Sequence, residues 1–189
     1  MKRSTVFLIT LTLLPLAMAA DDLPQRAAQA RNATQALQTQ LQKELAAAMK
    51  SGGPVKAIEV CQTRAPAIAA EISKQTHMRV GRTSEKVRNV ANAPDPWEQT
   101  VLRLFALRKK NGENPANIEY YAVVENGGKK EFRYMKAIAI PQNAPCLMCH
   151  GETIDPKVAA RLKELYPQDR ATGYASGDLR GAFTVRQPL

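Results

Sequence analysis

The 189-residue chain carries 27 Lys and Arg against 17 Asp and Glu, a formal net charge of +10. That length suits one domain. The basic residues are scattered along the chain, which speaks against nucleic acid and for a solvated surface or anionic partners.

The chain opens MKRSTVFLITLTLLPLAMAADD. Lys2 and Arg3 precede an apolar run over residues 6–16, and Ala17 and Ala19 follow in an A-x-A arrangement. This predicts a signal peptide over 1–20, cut after Ala19 or Ala20. Spanning a bilayer takes roughly 20 apolar residues. This run is shorter, Asp21 and Asp22 follow it, and no later segment replaces it. The expected mature protein is periplasmic, has no membrane span, and carries +8 once Lys2 and Arg3 are removed.

Residues 22–50 place Leu37, Leu41 and Leu45 four apart, with Ala48 and Met49 closing the stripe. They predict an amphipathic helix ended by Gly52 and Gly53, suited to packing or to pairing as a homodimer. Pro54 opens a second helix that puts Ile58, Cys61 and Ala65 on one face. Pro66 kinks or restarts it, and Ile68 and Ile72 continue it. Cys61 therefore points to the interior.

MRVGRTS reads as a strand with Met78 and Val80 on one side. NVANAPDPWE is a loop. A helix follows from Pro96 to Gly112, its apolar face made by Trp97, Val101, Leu104 and Phe105. Residues 117–140 form a hairpin about ENGGKK, where Asn-Gly supplies the positive φ of a tight turn. DPKVAARLKELYP is a helix capped by Asp155 with Pro156 at its first position, and RGAFTVRQ is a final strand. The expected fold class is α+β: a small antiparallel sheet with helices on one face, PAS-like in outline and preceded by the long N-terminal helix. The expected organisation is 1–20 signal peptide, 21–53 helix and 54–189 domain.

Between the hairpin and the last helix stands NAPCLMCHG. It concentrates two of the three cysteines and one of the two histidines. A zinc site normally takes four Cys or His ligands, and no second CxxC exists. A redox CxxC opens a helix after a strand within a βαβ unit, whereas this one follows the loop PQNAP. A CxxCH behind a signal peptide is the attachment site of c-type haem. Cys146 and Cys149 would form thioethers to the porphyrin, one haem in all, with His150 as proximal iron ligand.

Candidates for the second axial position are Cys61, His77, Met78, Met135 and Met148. Met148 sits in the attachment loop, where reaching the iron is sterically awkward. His77 suits a surface as well as a ligand role, and Met78 and Met135 suit packing. Cys61 has no disulfide partner once the pair is consumed. A thiol outside the cytoplasm is an oxidation liability unless buried or bound, so it is either a buried inert thiol or a ligand. Tyr134 and Trp97 suit core packing better than a pocket wall.

VCQTRAP (60–66), GRTSEKVRNVANAPDPWE (81–98), CLMCHG and YPQDRATGYASGDLRGAFTV (166–185) together resemble a family of PAS-like c-type haem proteins, found as free exported proteins and as input domains of bacterial sensor kinases. The resemblance runs from about residue 41 to the C-terminus. Val90 departs from it, where the family usually has Pro. It implies His150 and Cys61 as the axial ligands. Thiolate ligation would favour ferric iron and a low potential, with the sulfur leaving on reduction. Arg82, Arg88 and Arg180 lie in the resembling blocks and suit the haem propionates.

The expected function is a low-potential, low-spin haem module responding to redox state or a diatomic gas, acting through a redox or signalling partner protein. The alternative is a low-potential electron carrier whose basic surface docks an acidic partner. An enzyme would need an open site and a distal acid or base, for which His77 is the sole histidine left, so none is expected.

Overall fold

The computed structural model describes residues 22–142 and 145–189. The predicted signal peptide lies outside them. Helix α1 (Leu23–Thr76) is two helices meeting at Gly52 and Gly53, which leave helical geometry with φ −163° and +68°. The second angle favours a residue without Cβ, and Pro54 restarts the helix as expected. The two arms lie side by side, joined by Arg64 and Glu44 at 3.0 Å. Pro66 does not break the second arm: Gly52 and Gly53 alone depart from helical angles inside α1. The proline removes one N–H from the helical ladder, and the burial of Ala65, Ile68 and Ile72 around it holds the helix together.

Four strands follow: β1 (Arg79–Thr83), β2 (Glu119–Asn126), β3 (Lys129–Ala139) and β4 (Leu179–Pro188). Between them lie α2 (Pro96–Lys110), α3 (Leu147–His150) and α4 (Pro156–Leu165). Asp155 caps α4 by accepting the Lys157 and Val158 N–H groups. The sheet is antiparallel throughout, in the order β1-β4-β3-β2. The C-terminal strand thus sits inside the sheet, with Val185 opposite both Val80 and Tyr134.

The β2–β3 turn is shifted by one residue from expectation. Asn126 pairs with Lys129, and Gly127 and Gly128 occupy the turn with φ +58° and +75°. A two-residue turn with positive φ at both positions admits Gly-Gly more readily than Asn-Gly.

Helices cover both faces of the sheet, where one was expected. On one side Ala27, Ala30, Ala33 and Leu37 of the first α1 arm, and Ile68 and Ile72 of the second, pack on Phe132, Tyr134, Phe183 and Val185. The N-terminal arm is therefore part of the main core, with Leu37 and, in part, Leu41 of the predicted stripe packed there. On the other side Val101, Leu102 and Phe105 of α2 meet Met135, Ala137 and Ala182. The cause is visible in β3, where Phe132, Arg133, Tyr134 and Met135 are all buried; alternate side chains point to opposite faces, so each face has something to hide. Leu102 takes the core place expected of Leu104. Trp97 packs against Tyr120 and beneath the Arg133 guanidinium, and Tyr134 is fully buried with its hydroxyl donating to Glu119.

Strand β4 carries a bulge that matters below. Ile138 pairs with Gly181 and Ala139 with Leu179, which leaves Arg180 unpaired. Bulges re-aim side chains. Gly181 adopts φ +152°, and a Cβ there would fall 2.3 Å from the Thr83 carbonyl oxygen. Gly181→Ala is expected to cost about 1–3 kcal/mol, read from urea unfolding. At Gly81 a Cβ would meet nothing nearer than 3.9 Å, so Gly81→Ala is expected to change stability by less than about 1 kcal/mol. Equal losses at both positions would contradict this packing.

Candidate functional site

A cavity of about 270 Å³ opens between α1, the segment after β1, the CxxCH turn and the start of β4. Cys61 faces it from the second arm of α1, Arg82 from β1, Arg88 from the following loop, His150 from the end of α3, and Arg180 from the β4 bulge. Five of the predicted site residues, drawn from across the chain, therefore share one space. Cys146 and Cys149 stand on the same short helical turn as His150, both half-buried and neither in a disulfide.

The imidazole of His150 is oriented by backbone. Its Nδ1 lies 2.7 Å from the Ala171 carbonyl oxygen and 3.3 Å from Arg180 Nε. One nitrogen cannot donate to the first and accept from the second. The carbonyl only accepts, and its contact is the shorter, so Nδ1–H donates to Ala171 and Nε2 keeps its lone pair. Burial, then the Arg88 and Arg180 charges, push the His150 pKa down to about 3. The ring is neutral at any ordinary pH, the form that ligates a metal. Tyr174 meets it edge-on at 6.4 Å between centroids.

Burial pushes the Cys61 thiol up, against the opposing pull of Arg82 and Arg88. Unligated, it is a neutral thiol; a metal cation would be needed to hold it as thiolate. Among the described residues neither Arg82 nor Arg180 has a carboxylate partner. Arg82 touches water in the open cleft, yet the surrounding walls lower its pKa, as they do that of Arg180. Arg88 differs: it pairs with Asp169 at 3.0 Å and donates to the Cys149 carbonyl. Two cations in the cleft thus lack a counter-charge, and the third is already matched.

The model of the Tll0287-like family matches residues 17–188 of the chain. The chain belongs to the Tll0287-like family. Among solved structures, it is similar to the crystal structure of the cyanobacterial heme-protein Tll0287, at 24% identity and a TM-score of 0.63, covering 90% of this chain and 96% of that one. That likeness establishes a common fold. No curated protein matches the chain.

In this Tll0287-like chain the five second-ligand candidates separate cleanly. His77 is exposed at the end of α1, in the left-handed conformation with φ 54°. Met78 is buried against the α1 face and Met135 against the α2 face. Met148 is 46% exposed. Cys61 alone of the five lines the cavity. Among the described residues, no three His, Cys, Asp or Glu side chains converge as a metal-ion site. No helix of the described residues is long and apolar enough to cross a membrane.

Sequence reasoning missed the shell behind these groups: Asp169, the Ala171 carbonyl and Tyr174. All three sit in the block 166–185, so their neighbourhood was flagged. A backbone carbonyl, however, has no signature in a sequence, and Asp169 and Tyr174 look like ordinary loop residues.

Proposed function

We propose that this protein holds one c-type haem in the cleft and serves, after export to the periplasm, as a redox- or gas-responsive module. The observation that carries the reading is that Cys61 and His150, whose Nδ1 is held by the Ala171 carbonyl, line one cavity together with two arginines that have no carboxylate partner among the described residues. Cys146 and Cys149, on the turn that presents His150, are spaced to form the two thioethers. His150, through Nε2, and Cys61, through Sγ, would be the residues that hold the iron. Arg82 and Arg180 would take the propionates, whose charge supplies what these guanidiniums lack. Membership of a family that includes a heme-protein supports the same assignment.

Bound haem would supply a one-electron couple and, where a ligand withdraws, a coordination position for a diatomic molecule. The chain contributes two unequal ligands. His150 is fixed by a hydrogen bond to backbone and follows directly on a thioether-bearing cysteine. Cys61 comes from a helical stretch that begins at the Gly52–Gly53 break and contains a proline five residues further on, so its position is the more easily given up. A responsive module should release Cys61 on reduction, and the reduced protein is expected to form a CO adduct and to lose it on reoxidation. Absorption spectra of the dithionite-reduced protein with and without CO test this. Full retention of a six-coordinate spectrum under CO would instead mark an electron carrier.

A further inference from the structure

The wall behind His150 is a chain of contacts that starts at one ion pair. Asp169 accepts the Arg88 Nε–H at 3.0 Å with one oxygen and the Ala171 N–H at 2.7 Å with the other. The two side chains are 9% and 13% exposed. Arg88 Nη2 donates to the carbonyl of Cys149 and reaches that of Ala171 at 3.4 Å. Backbone bonds extend the seam: Arg170 N–H to the Val87 oxygen, Gly173 N–H to the Gly151 oxygen, and Tyr174 N–H to the His150 oxygen. Ala171 is fully buried, and its carbonyl receives the His150 Nδ1–H. Arg88 and Asp169 thus touch both sides of the seam, the histidine's own turn and the peptide that accepts its proton.

We infer that the Arg88–Asp169 pair is a positioning device for His150: by fixing the Ala171 peptide it dictates which ring nitrogen carries the proton and leaves Nε2 free to ligate. A carbonyl on Nδ1–H also raises the basicity of the opposite nitrogen, which favours the oxidised state of a bound metal. That second consequence rests on the haem reading; the first does not. The role differs from an anion contact because Arg88's charge is already matched by Asp169.

Charge and position predict opposite signs, which makes the idea testable. Removing the Arg88 cation alone should, by electrostatics, make bound iron harder to reduce. Loss of the Ala171 hydrogen bond should make it easier. In Arg88→Ala/Asp169→Ala the net charge is unchanged, so only the positional effect remains. The haem-carrying double variant is expected to show about a tenfold higher ferrous-to-ferric ratio at the wild-type midpoint, a rise of about 59 mV for one electron. The full chain made without haem gives an independent readout by histidine ¹⁵N NMR, aided by there being two histidines, His77 and His150. Wild-type His150 should show the Nδ1–H tautomer, with exposed His77 as the internal comparison. In the double variant His150 should become mixed. If that variant does not fold, Arg88→Gln is read by the tautomer alone, because its lost charge also moves the potential: a mixed His150 tautomer is expected, and an unmoved one overturns the inference. An unmoved tautomer and potential, even with lowered stability, would reduce the pair to a loop anchor and overturn the inference. A shifted tautomer in a chain that takes up no haem would uphold the positioning and sink the haem proposal instead.

Discussion

Cys61→Ala is expected to keep its covalent haem and lose the ferric low-spin thiolate spectrum. Attachment depends on Cys146 and Cys149, which the substitution does not touch. Removing an anionic ligand withdraws the stabilisation of ferric iron, so the midpoint potential should rise by on the order of 0.1 V, well inside the roughly 0.8 V that axial ligands span. The vacated position should bind imidazole in the ferric protein, and CO in the ferrous protein with no side chain to displace. His77→Ala, at an exposed helix end, should leave both spectrum and potential as they were. An unaltered ferric spectrum in Cys61→Ala would remove the thiol from the iron and return it to the status of a half-buried, inert side chain.

The second large effect lies on the opposite face of the sheet. Glu98 is 2% exposed, and its Oε1 accepts from Arg133, Arg186 and Thr184 at 3.1, 3.2 and 2.7 Å. Its Oε2 accepts the Asp95 N–H at 3.0 Å, closing the capping box that starts α2. Arg133 is itself 4% exposed and stacks over Trp97. Glu98→Ala would leave that buried cation facing Asp95 alone and remove one of the two bonds of the capping box, while Asp95 still accepts the backbone N–H at position 98. Breaking a buried pair from one side costs about 3–5 kcal/mol. A domain of this size loses about 2–4 °C of Tm per kcal/mol, so a fall of roughly 10 °C is expected in a thermal melt, with the haem spectrum unchanged. A loss below about 1 kcal/mol would mean the carboxylate contributes no net charge pairing.

The same network has a pH signature. At Asp95 burial raises the pKa, but the Arg133 bond, the Glu98 N–H and the nearby charges outweigh it, and the folded value lies below the usual 3.8. A depressed folded pKa contributes stability above the unfolded value that is lost as pH falls through the folded one. Acid unfolding should therefore steepen below about pH 4, and Asp95→Asn should flatten that limb.

Much of the architecture was legible because glycine and proline punctuate the chain. Gly52-Gly53-Pro54 and Asp155-Pro156 fix where helices stop and start, and ENGGKK located the hairpin turn to within one residue, for reasons of backbone geometry; at Pro66 packing overrode the proline. Which face an element buries was less legible. Placing helices on one side of the sheet follows from reading each strand as amphipathic, but the run Phe132 to Met135 hides an arginine whose counter-charges, Asp95 and Glu98, arrive from a distant helix start. In sequence, Glu98 is indistinguishable from a solvated carboxylate in a first turn. At the site, residue types that stand out chemically were found: the paired cysteines, the orphan Cys61, and the arginines of the cleft. The groups that orient them, a carbonyl at Ala171 and an aspartate in a loop, act through position, which a sequence does not display. Arg88 was legible as a cation near the site, while its partner Asp169, and hence its task, needed the fold.

The account rests on covalent haem at the paired cysteines. The direct measurement is intact mass together with a pyridine haemochrome assay on the full chain, exported in cells that carry the c-type haem attachment machinery. The expected result is a mature chain beginning after Ala19 or Ala20, heavier by one haem, with the two-thioether haemochrome spectrum and no haem on Cys146→Ala/Cys149→Ala. A colourless product with the mass of the bare polypeptide would contradict it.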